Sequence, residues 1–305
     1  MAQQLARSNG LEWPTIWLIA GFYGAFGVLT WFWHDLPWWL TWPAAVYLTG
    51  LYGSLQHEAI HGHPSPWHWL NQLSVLPGLL VWVPYGRYRD LHLRHHTNDH
   101  LTDPYDDPES YYWSPDDWVR MPALAQALFR ANNTLAGRLI LGPAISAMRF
   151  WGRDVRLLAG GNSDVVRAWL LHVPALAVLY LWISTVCGIS AWVYLAAFAY
   201  PGTSLILLRS YAEHRAHAQP DARTAIVETC PAMALLFLNN NLHAVHHARP
   251  ELAWYKLPDA YKAHRRSVLG RNDGYLIKGY VRLFLKYFIA AKEPVPHPLR
   301  DHQTS

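Results

Sequence analysis

The histidines of this chain fall into groups whose spacing suits metal binding. The segment Leu91–His96 reads LHLRHH and the segment Leu242–His247 reads LHAVHH, so each contains the pattern HxxHH. Positions i, i+3 and i+4 of an α-helix lie on one side, so each segment presents three imidazoles in one direction. A third segment, His57–His63, reads HEAIHGH and has two histidines four residues apart. Because imidazole is a ligand for zinc, copper, iron and nickel, these patterns predict metal chemistry.

The segment His57–His61 also fits HExxH, in which two histidines bind zinc and the glutamate activates water for peptide hydrolysis. A metzincin would continue with Gly at position 64 and His at position 67, but the chain has Pro64 and Trp67. An intramembrane metalloprotease would need a distal aspartate ligand, and the Asp273-Gly274 pair lies in a polar stretch near the C-terminus. Both HxxHH groups would also have no role, so a metalloprotease is a remote alternative.

The number of grouped histidines predicts two ions. The candidate ligands are His57, His61, His92, His95, His96, His214, His243, His246 and His247. Zinc usually takes four ligands, whereas eight or nine neutral nitrogens suit two ions of an imidazole-tolerant metal, with iron the natural candidate. Carboxylates can bond the outer ring nitrogens; those near the histidines are Glu58, Asp103, Asp106, Asp107 and Glu213. We expect Glu58 in such a role, and His63 to be a polar neighbour and not a ligand.

Long apolar segments must position these groups. Of the 305 residues 52% are apolar and 15% are charged, against roughly 25% charged in soluble proteins. Each segment is about long enough to cross a bilayer as a helix; the segments are residues 14–33, 38–55, 168–187 and 190–208. The sequence therefore predicts an all-α integral membrane protein of one domain, residues 1–305, with four transmembrane helices in two hairpins.

The distribution of positive charge predicts the orientation. Apart from one arginine near the N-terminus, Lys and Arg occur only in residues 87–167 and 209–300, and the two hairpin turns contain none. By the positive-inside rule these stretches are cytoplasmic, so every histidine group belongs to a histidine-rich cap on the cytoplasmic side. Residues 137–150 predict an amphipathic interfacial helix. Topology accounts for the pI near 9.0, and no pattern favours nucleic-acid binding.

Three histidine boxes around two helical hairpins resemble the membrane fatty acid desaturase family, from the first hairpin to about Tyr255. The resemblance implies a non-heme diiron site with the nine histidines given above as metal ligands. His214 matches the additional ligand that members of the family place shortly after the fourth helix. Four residues before it, where some members have Asn, this chain has Ser210.

The same resemblance implies an oxidoreductase that uses O2 and two iron ions, most directly a desaturase of fatty acyl or lipid chains. Alternatives within the family are hydroxylation, epoxidation or ketolation of a lipid, carotenoid or specialised metabolite. A membrane metal-binding or sensory protein without turnover is an alternative of another class. The sequence contains no heme-binding HPGG segment, so we expect electrons from a separate ferredoxin or cytochrome with its reductase. Arginine outnumbers lysine, which favours a bacterial inner membrane with the site facing the cytoplasm.

Overall fold

Long apolar helices form at three of the four predicted membrane segments. In the computed structural model, which describes residues 10–97 and 100–300, the helices long and apolar enough to cross a membrane are Trp13–Trp31, Ser163–Val186 and Ala191–Glu213. Large apolar side chains point outward from them, with Trp17, Leu170 and Trp192 exposed by 69%, 68% and 80%. So much exposed apolar surface is unfavourable in water but is stable in contact with lipid. The chain is therefore an integral membrane protein by the composition of its helices.

The remaining predicted span, residues 38–55, is a helix of 23 residues, Trp38–Ile60. It is rich in Trp, Tyr, Thr and Gly and is not among the helices apolar enough to cross a membrane. Four spans in two hairpins therefore stay a prediction. The helix continues five residues beyond the predicted end, so His57 lies in its last turn.

Most of the described chain is helical. In chain order the helices are α1 Trp13–Trp31, α2 Trp38–Ile60, α3 His68–Ser74, α4 Tyr85–Thr97, α5 Pro115–Arg120, α6 Ala123–Asn132, α7 Leu135–Ile140, α8 Gly142–Ala159, α9 Ser163–Tyr180, α10 Ala191–Tyr194, α11 Tyr200–Glu213, α12 Pro231–Leu236, α13 His243–Ala248, α14 Leu257–Arg271 and α15 Tyr280–Tyr287. Short π-helical segments, Leu181–Val186 and Leu195–Ala199, continue α9 and join α10 to α11. There are 3₁₀ turns at Pro220–Arg223 and Trp254–Lys256, and two short strands, β1 Ile226–Val227 and β2 Leu276–Ile277.

Residue contacts divide the chain into two compact units. Unit 1 comprises Met1–Asp90 and Pro143–Ile206, and unit 2 comprises Leu91–Gly142 and Leu207–Ser305. The expectation of a single domain stays a prediction.

Aromatic rings fill the centre of unit 1. Phe22 stacks on Tyr52 with ring centroids 5.9 Å apart, and Phe26 meets the edge of Phe198 at 6.0 Å. Close helix packing depends on Gly202, because a Cβ atom there would lie 2.6 Å from the Cβ of Thr49. Any larger residue at position 202 would therefore push α2 and α11 apart.

Unit 2 has a small apolar core beside the two strands. Its buried members are Ile226, Leu242, Val245, Leu257, Tyr261 and Val268. The strands are parallel, with Ile226 opposite Leu276 and Val227 opposite Ile277. Val245 of α13, the helix that carries the last HxxHH group, belongs to this core.

The predicted interfacial helix over residues 137–150 is two helices. The first, α7, ends at Ile140, and α8 begins at Gly142. Pro143 explains the break, since proline has no backbone N–H to donate and disfavours helical geometry in the preceding residue.

Candidate metal centre

The HxxHH group of α4 lies on the last turns of that helix. His92 and His95 are each only 1% exposed. Two polar side chains of this size are rarely buried so completely without a partner. Their burial therefore indicates that these imidazoles have binding partners inside the protein.

The second HxxHH group forms almost the whole of α13, which begins at His243 and ends one residue beyond His247. His243 and His246 are each 2% exposed. His214 follows the end of α11 directly and is also buried. Seven of the nine predicted ligands therefore lie in unit 2.

Four of these histidines converge on one point, and we call them the four-histidine set: His95, His214, His243 and His247. One ring nitrogen from each lies within 4.8 Å of those of the others. Nε2 of His214 and Nε2 of His243 are 3.0 Å apart. Two nitrogens on opposite sides of one ion are roughly 4 Å apart, given metal–nitrogen bonds of about 2.0–2.1 Å. The spacing therefore suits a single ion.

The other three histidines of unit 2 form a second cluster, the three-histidine set: His92, His96 and His246. Their ring nitrogens also lie within 4.8 Å of one another, with Nε2 of His96 and Nε2 of His246 3.2 Å apart. Each HxxHH group is therefore divided. In α4 the i and i+4 members belong to the three-histidine set, and in α13 the i and i+4 members belong to the four-histidine set. The three imidazoles of each group therefore do not all point in one direction, whereas the sequence predicted that they would.

The HEAIHGH segment lies in unit 1. The rings of His57 and His61 are adjacent, with centroids 4.8 Å apart, and both are buried. Nδ1 of His63 bonds instead to Oε1 of Glu12 at 2.9 Å. His63 belongs to neither set and helps to tie the start of α1 to the loop after α2; the expectation that it is not a ligand stays a prediction.

Carboxylates hold the outer nitrogens of three histidines in unit 2. Nδ1 of His92 lies 2.7 Å from Oε1 of Glu109, and Nδ1 of His95 lies 2.8 Å from Oδ1 of Asp107. Nδ1 of His243 hydrogen-bonds Oδ1 of Asn240 at 3.2 Å and lies at the same distance from Oε1 of Glu213. A carboxylate oxygen accepts a hydrogen bond from a ring nitrogen that carries a hydrogen. Each contact therefore places the hydrogen on Nδ1 and leaves the lone pair of Nε2 for a cation.

Not all of the predicted carboxylates contact the outer ring nitrogen of a histidine. Asp107 and Glu213 do, whereas Asp103 forms an ion pair with Arg300. Glu109 was missed by sequence reasoning because it is thirteen positions beyond His96 in a loop, and helical spacing carries no information across a loop. Glu58 is buried near the end of α2 in unit 1, and its role stays a prediction.

Burial and charge set the protonation of the histidines. Burial, reinforced by neighbouring imidazoles, holds the pKa of His243 and His247 well below the usual value. Burial also disfavours the charged form of His95, but Glu109 and Asp107 outweigh it and raise its pKa to about 9. Burial opposes ionisation of Glu109, yet the neighbouring His92 and His95 outweigh it and lower the pKa of that carboxyl. The four-histidine set thus combines imidazoles that burial keeps neutral with His95, whose pKa the nearby carboxylates raise.

A lysine near the C-terminus supports the backbone at His214. Nζ of Lys292 donates to the carbonyl oxygens of Tyr211 and His214 and to the hydroxyl of Tyr275. The hydroxyl of Tyr111 also donates to the carbonyl of His214, at 3.2 Å. No local sequence pattern signals this contact, because Lys292 is 78 residues from His214.

The residues present fit a transition metal of the imidazole-binding kind. Nε2 of His95 and Nε2 of His247 are buried and have no hydrogen-bond partner within residues 10–97 and 100–300. Buried polar atoms are almost always satisfied, so these two nitrogens face a missing partner. Imidazole nitrogens aimed at one point suit zinc, copper, iron or nickel, whose binding displaces the ring proton.

Comparison with known proteins identifies the family. The model of the fatty acid desaturase family matches residues 36–279, which is most of the chain and includes all nine candidate ligands. The chain therefore belongs to the fatty acid desaturase family. No curated protein matches the chain significantly.

Proposed function

We propose that this member of the fatty acid desaturase family is an oxygen-dependent membrane diiron oxidase that introduces a C=C bond into a fatty acyl or lipid chain. The observation that carries the proposal is the four-histidine set. Its ring nitrogens converge within 4.8 Å, and two of them are buried without a hydrogen-bond partner in the described part of the chain. In a family of oxidases, such a set is best explained as one of two iron sites.

His95, His214, His243 and His247 would hold one iron ion. The three-histidine set would hold the other, and the family pattern makes His57 and His61 further iron ligands. When bound, iron would use O2 and two electrons to remove hydrogen from an unactivated methylene group, which no side chain can do alone.

The protein's own part is to present nitrogens in the correct protonation state. Asp107 and Glu109 keep the proton on Nδ1 of His95 and His92, which orients each ring and leaves Nε2 for the metal. Oδ1 of Asn240, with Glu213 beside it, does the same for His243. The carboxylates would also offset the positive charge of the metal ions, which neutral imidazole ligands do not compensate.

The membrane setting supports a lipid substrate. The outward apolar side chains of α1, α9 and α10 suit contact with acyl chains. The charge distribution supports a histidine-rich cap in the cytoplasm, and the excess of arginine over lysine favours a bacterial inner membrane. There a ferredoxin, or a cytochrome with its reductase, would supply electrons.

The test is expression in a host that lacks desaturases, with lipid profiling by mass spectrometry. We expect a new unsaturated product that disappears in His96→Ala. Persistence of the product in that variant would contradict the iron assignment. A hydroxylated product containing ¹⁸O from ¹⁸O2, without an alkene, would replace desaturation by hydroxylation.

A further inference from the structure

A cavity in unit 2 reaches the four-histidine set. It has a volume of about 180 Å³, and its lining includes His95, His96 and His247. The rest of the lining comes from Leu101, from the turn around Asp221, from α13 and from the end of α14. None of these residues belongs to a helix that is apolar enough to cross a membrane. The cavity is therefore lined by residues outside the three candidate membrane-spanning helices.

The lining changes from charged and exposed to buried and polar. Asp221 and Arg271 are exposed, whereas Thr224 and Asn272 are only 5% and 1% exposed. The lining thus combines exposed charged side chains with buried polar groups and the histidines. Such a lining favours a hydrated ligand over an apolar one.

Asn272 provides independent evidence that the cavity takes a hydrogen-bond donor. Its Nδ2 donates to the carbonyl oxygens of Thr224 and Tyr275, both at 3.1 Å, which fixes the orientation of the amide. Its Oδ1 is then a buried acceptor with no hydrogen-bond partner in the part of the chain that the structure describes. A buried acceptor of this kind usually binds water, and the cavity is large enough for several water molecules.

We propose that this cavity is a hydrated passage by which water and small water-soluble molecules reach the four-histidine set, with Oδ1 of Asn272 holding water beside it. The inference rests on the proposed function. Desaturation with O2 consumes two electrons and two protons, forms one C=C bond and releases two molecules of water. A passage on the aqueous side would supply those protons and release that water, while the lipid chain would use the apolar side.

Cysteine accessibility tests the passage without relying on catalysis. Cys187 and Cys230 are both free and would be replaced by Ser in the full chain. Thr224→Cys then lines the cavity, whereas Ala225→Cys, one residue further on, is fully buried and outside the lining. The probe is a negatively charged, water-soluble methanethiosulfonate. We expect Thr224→Cys to be labelled at least about tenfold faster than Ala225→Cys, since only hydrated thiols ionise and react readily.

Ala244→Cys, also in the lining, is the second variant should Thr224→Cys fail to fold, and we expect the same rate advantage. Exposed Ala263→Cys on α14 shows that the reagent is active. Labelling of the cavity cysteine no faster than that of Ala225→Cys would overturn the proposal. Because labelling requires no turnover, its outcome is distinct from failure of the proposed function, which would appear as the absence of iron or of an oxidised lipid.

Discussion

Asp154 in unit 1 and Asp107 in unit 2 are both buried carboxylates, 1% and 4% exposed, yet their hydrogen bonds end differently. Asp154 accepts two bonds from Nε of Arg87, one from Nη2 and one from Nε1 of Trp169. Asp107 accepts from Nδ1 of His95 and from two backbone N–H groups. The first network is closed by the protein. The second continues through the imidazole to Nε2 of His95, which has no partner within the described residues.

This difference separates structural polar groups from candidate metal ligands. The same criterion applies to His172 in unit 1, whose Nε2 bonds to the carbonyl of Val81 at 3.0 Å. A buried histidine whose nitrogens bond to the protein stabilises the fold. One whose second nitrogen is buried without a partner is placed for a ligand from outside the chain.

The largest effect should come from His247→Ala. Removing one imidazole from the four-histidine set should lower product formation by roughly a hundredfold or more, since even a residue that only orients a ligand contributes about 10–100-fold. The iron content of the purified protein should fall by about one ion per chain. Iron measured by mass spectrometry, together with lipid profiling, checks both results.

His34→Ala is the matched control, because His34 is exposed and bonds to the carbonyl of Gly188 in unit 1. It should leave iron and product unchanged. Equal iron content in His247→Ala and His34→Ala would break the distinction between the two kinds of histidine.

Asp107→Ala should have the next largest effect on activity. Loss of the carboxylate frees Nδ1 of His95 and should weaken iron binding or activity by about 10–100-fold. Iron titration into metal-free protein measures the affinity. Unchanged affinity and activity would mean that Asp107 supports only the loop around Thr102.

Asp154→Ala should affect stability and not iron. Leaving Arg87 buried without its partner should lower the free energy of unfolding by about 3–5 kcal/mol. Thermal unfolding in detergent measures that loss, and the folded fraction should still carry its full iron. Iron loss per folded chain as large as that of Asp107→Ala would show that the closed network is not merely structural.

The smallest effect should come from Glu293→Gln, which tests a carboxylate that bonds a backbone N–H and not a histidine. Oε2 of Glu293 accepts from the backbone N–H of Ala216, and burial raises the pKa of Glu293 to about 7. The folded protein therefore binds more protons than the unfolded chain between about pH 4.5 and 7, so this group lowers stability as the pH rises through that window. Glu293→Gln should be more stable than the parent at pH 8, by no more than about 3 kcal/mol, and similar near pH 4.5. A constant difference between the variants across this range would contradict the assignment.

Much of the site followed from the sequence because helical spacing is local. The spacing of His92, His95 and His96 predicted a shared helix, and the position of His214 followed from the end of an apolar segment. The division of each HxxHH group between two sets could not be predicted, because the rotation of α4 and α13 about their own axes depends on packing. Glu109 and Lys292 could not be found either, since both reach the histidines from loops or from the C-terminal part of the chain.

The fold was predictable where composition alone decides it. Three apolar segments became long helices within a few residues of their expected bounds. The segment at residues 38–55 was harder because its aromatic and small residues suit both lipid contact and helix packing, as the contact of Thr49 with Gly202 shows. The break before Pro143 was visible in the sequence but was outweighed by the amphipathic pattern on its two sides.

The most direct test is the metal content of the purified full-length chain. Grown with iron and measured for iron, zinc, copper and nickel together, the protein should contain about two irons per chain, and His247→Ala about one. A single zinc ion per chain, retained in His247→Ala and lost in His57→Ala, would contradict the diiron account and favour the HExxH alternative.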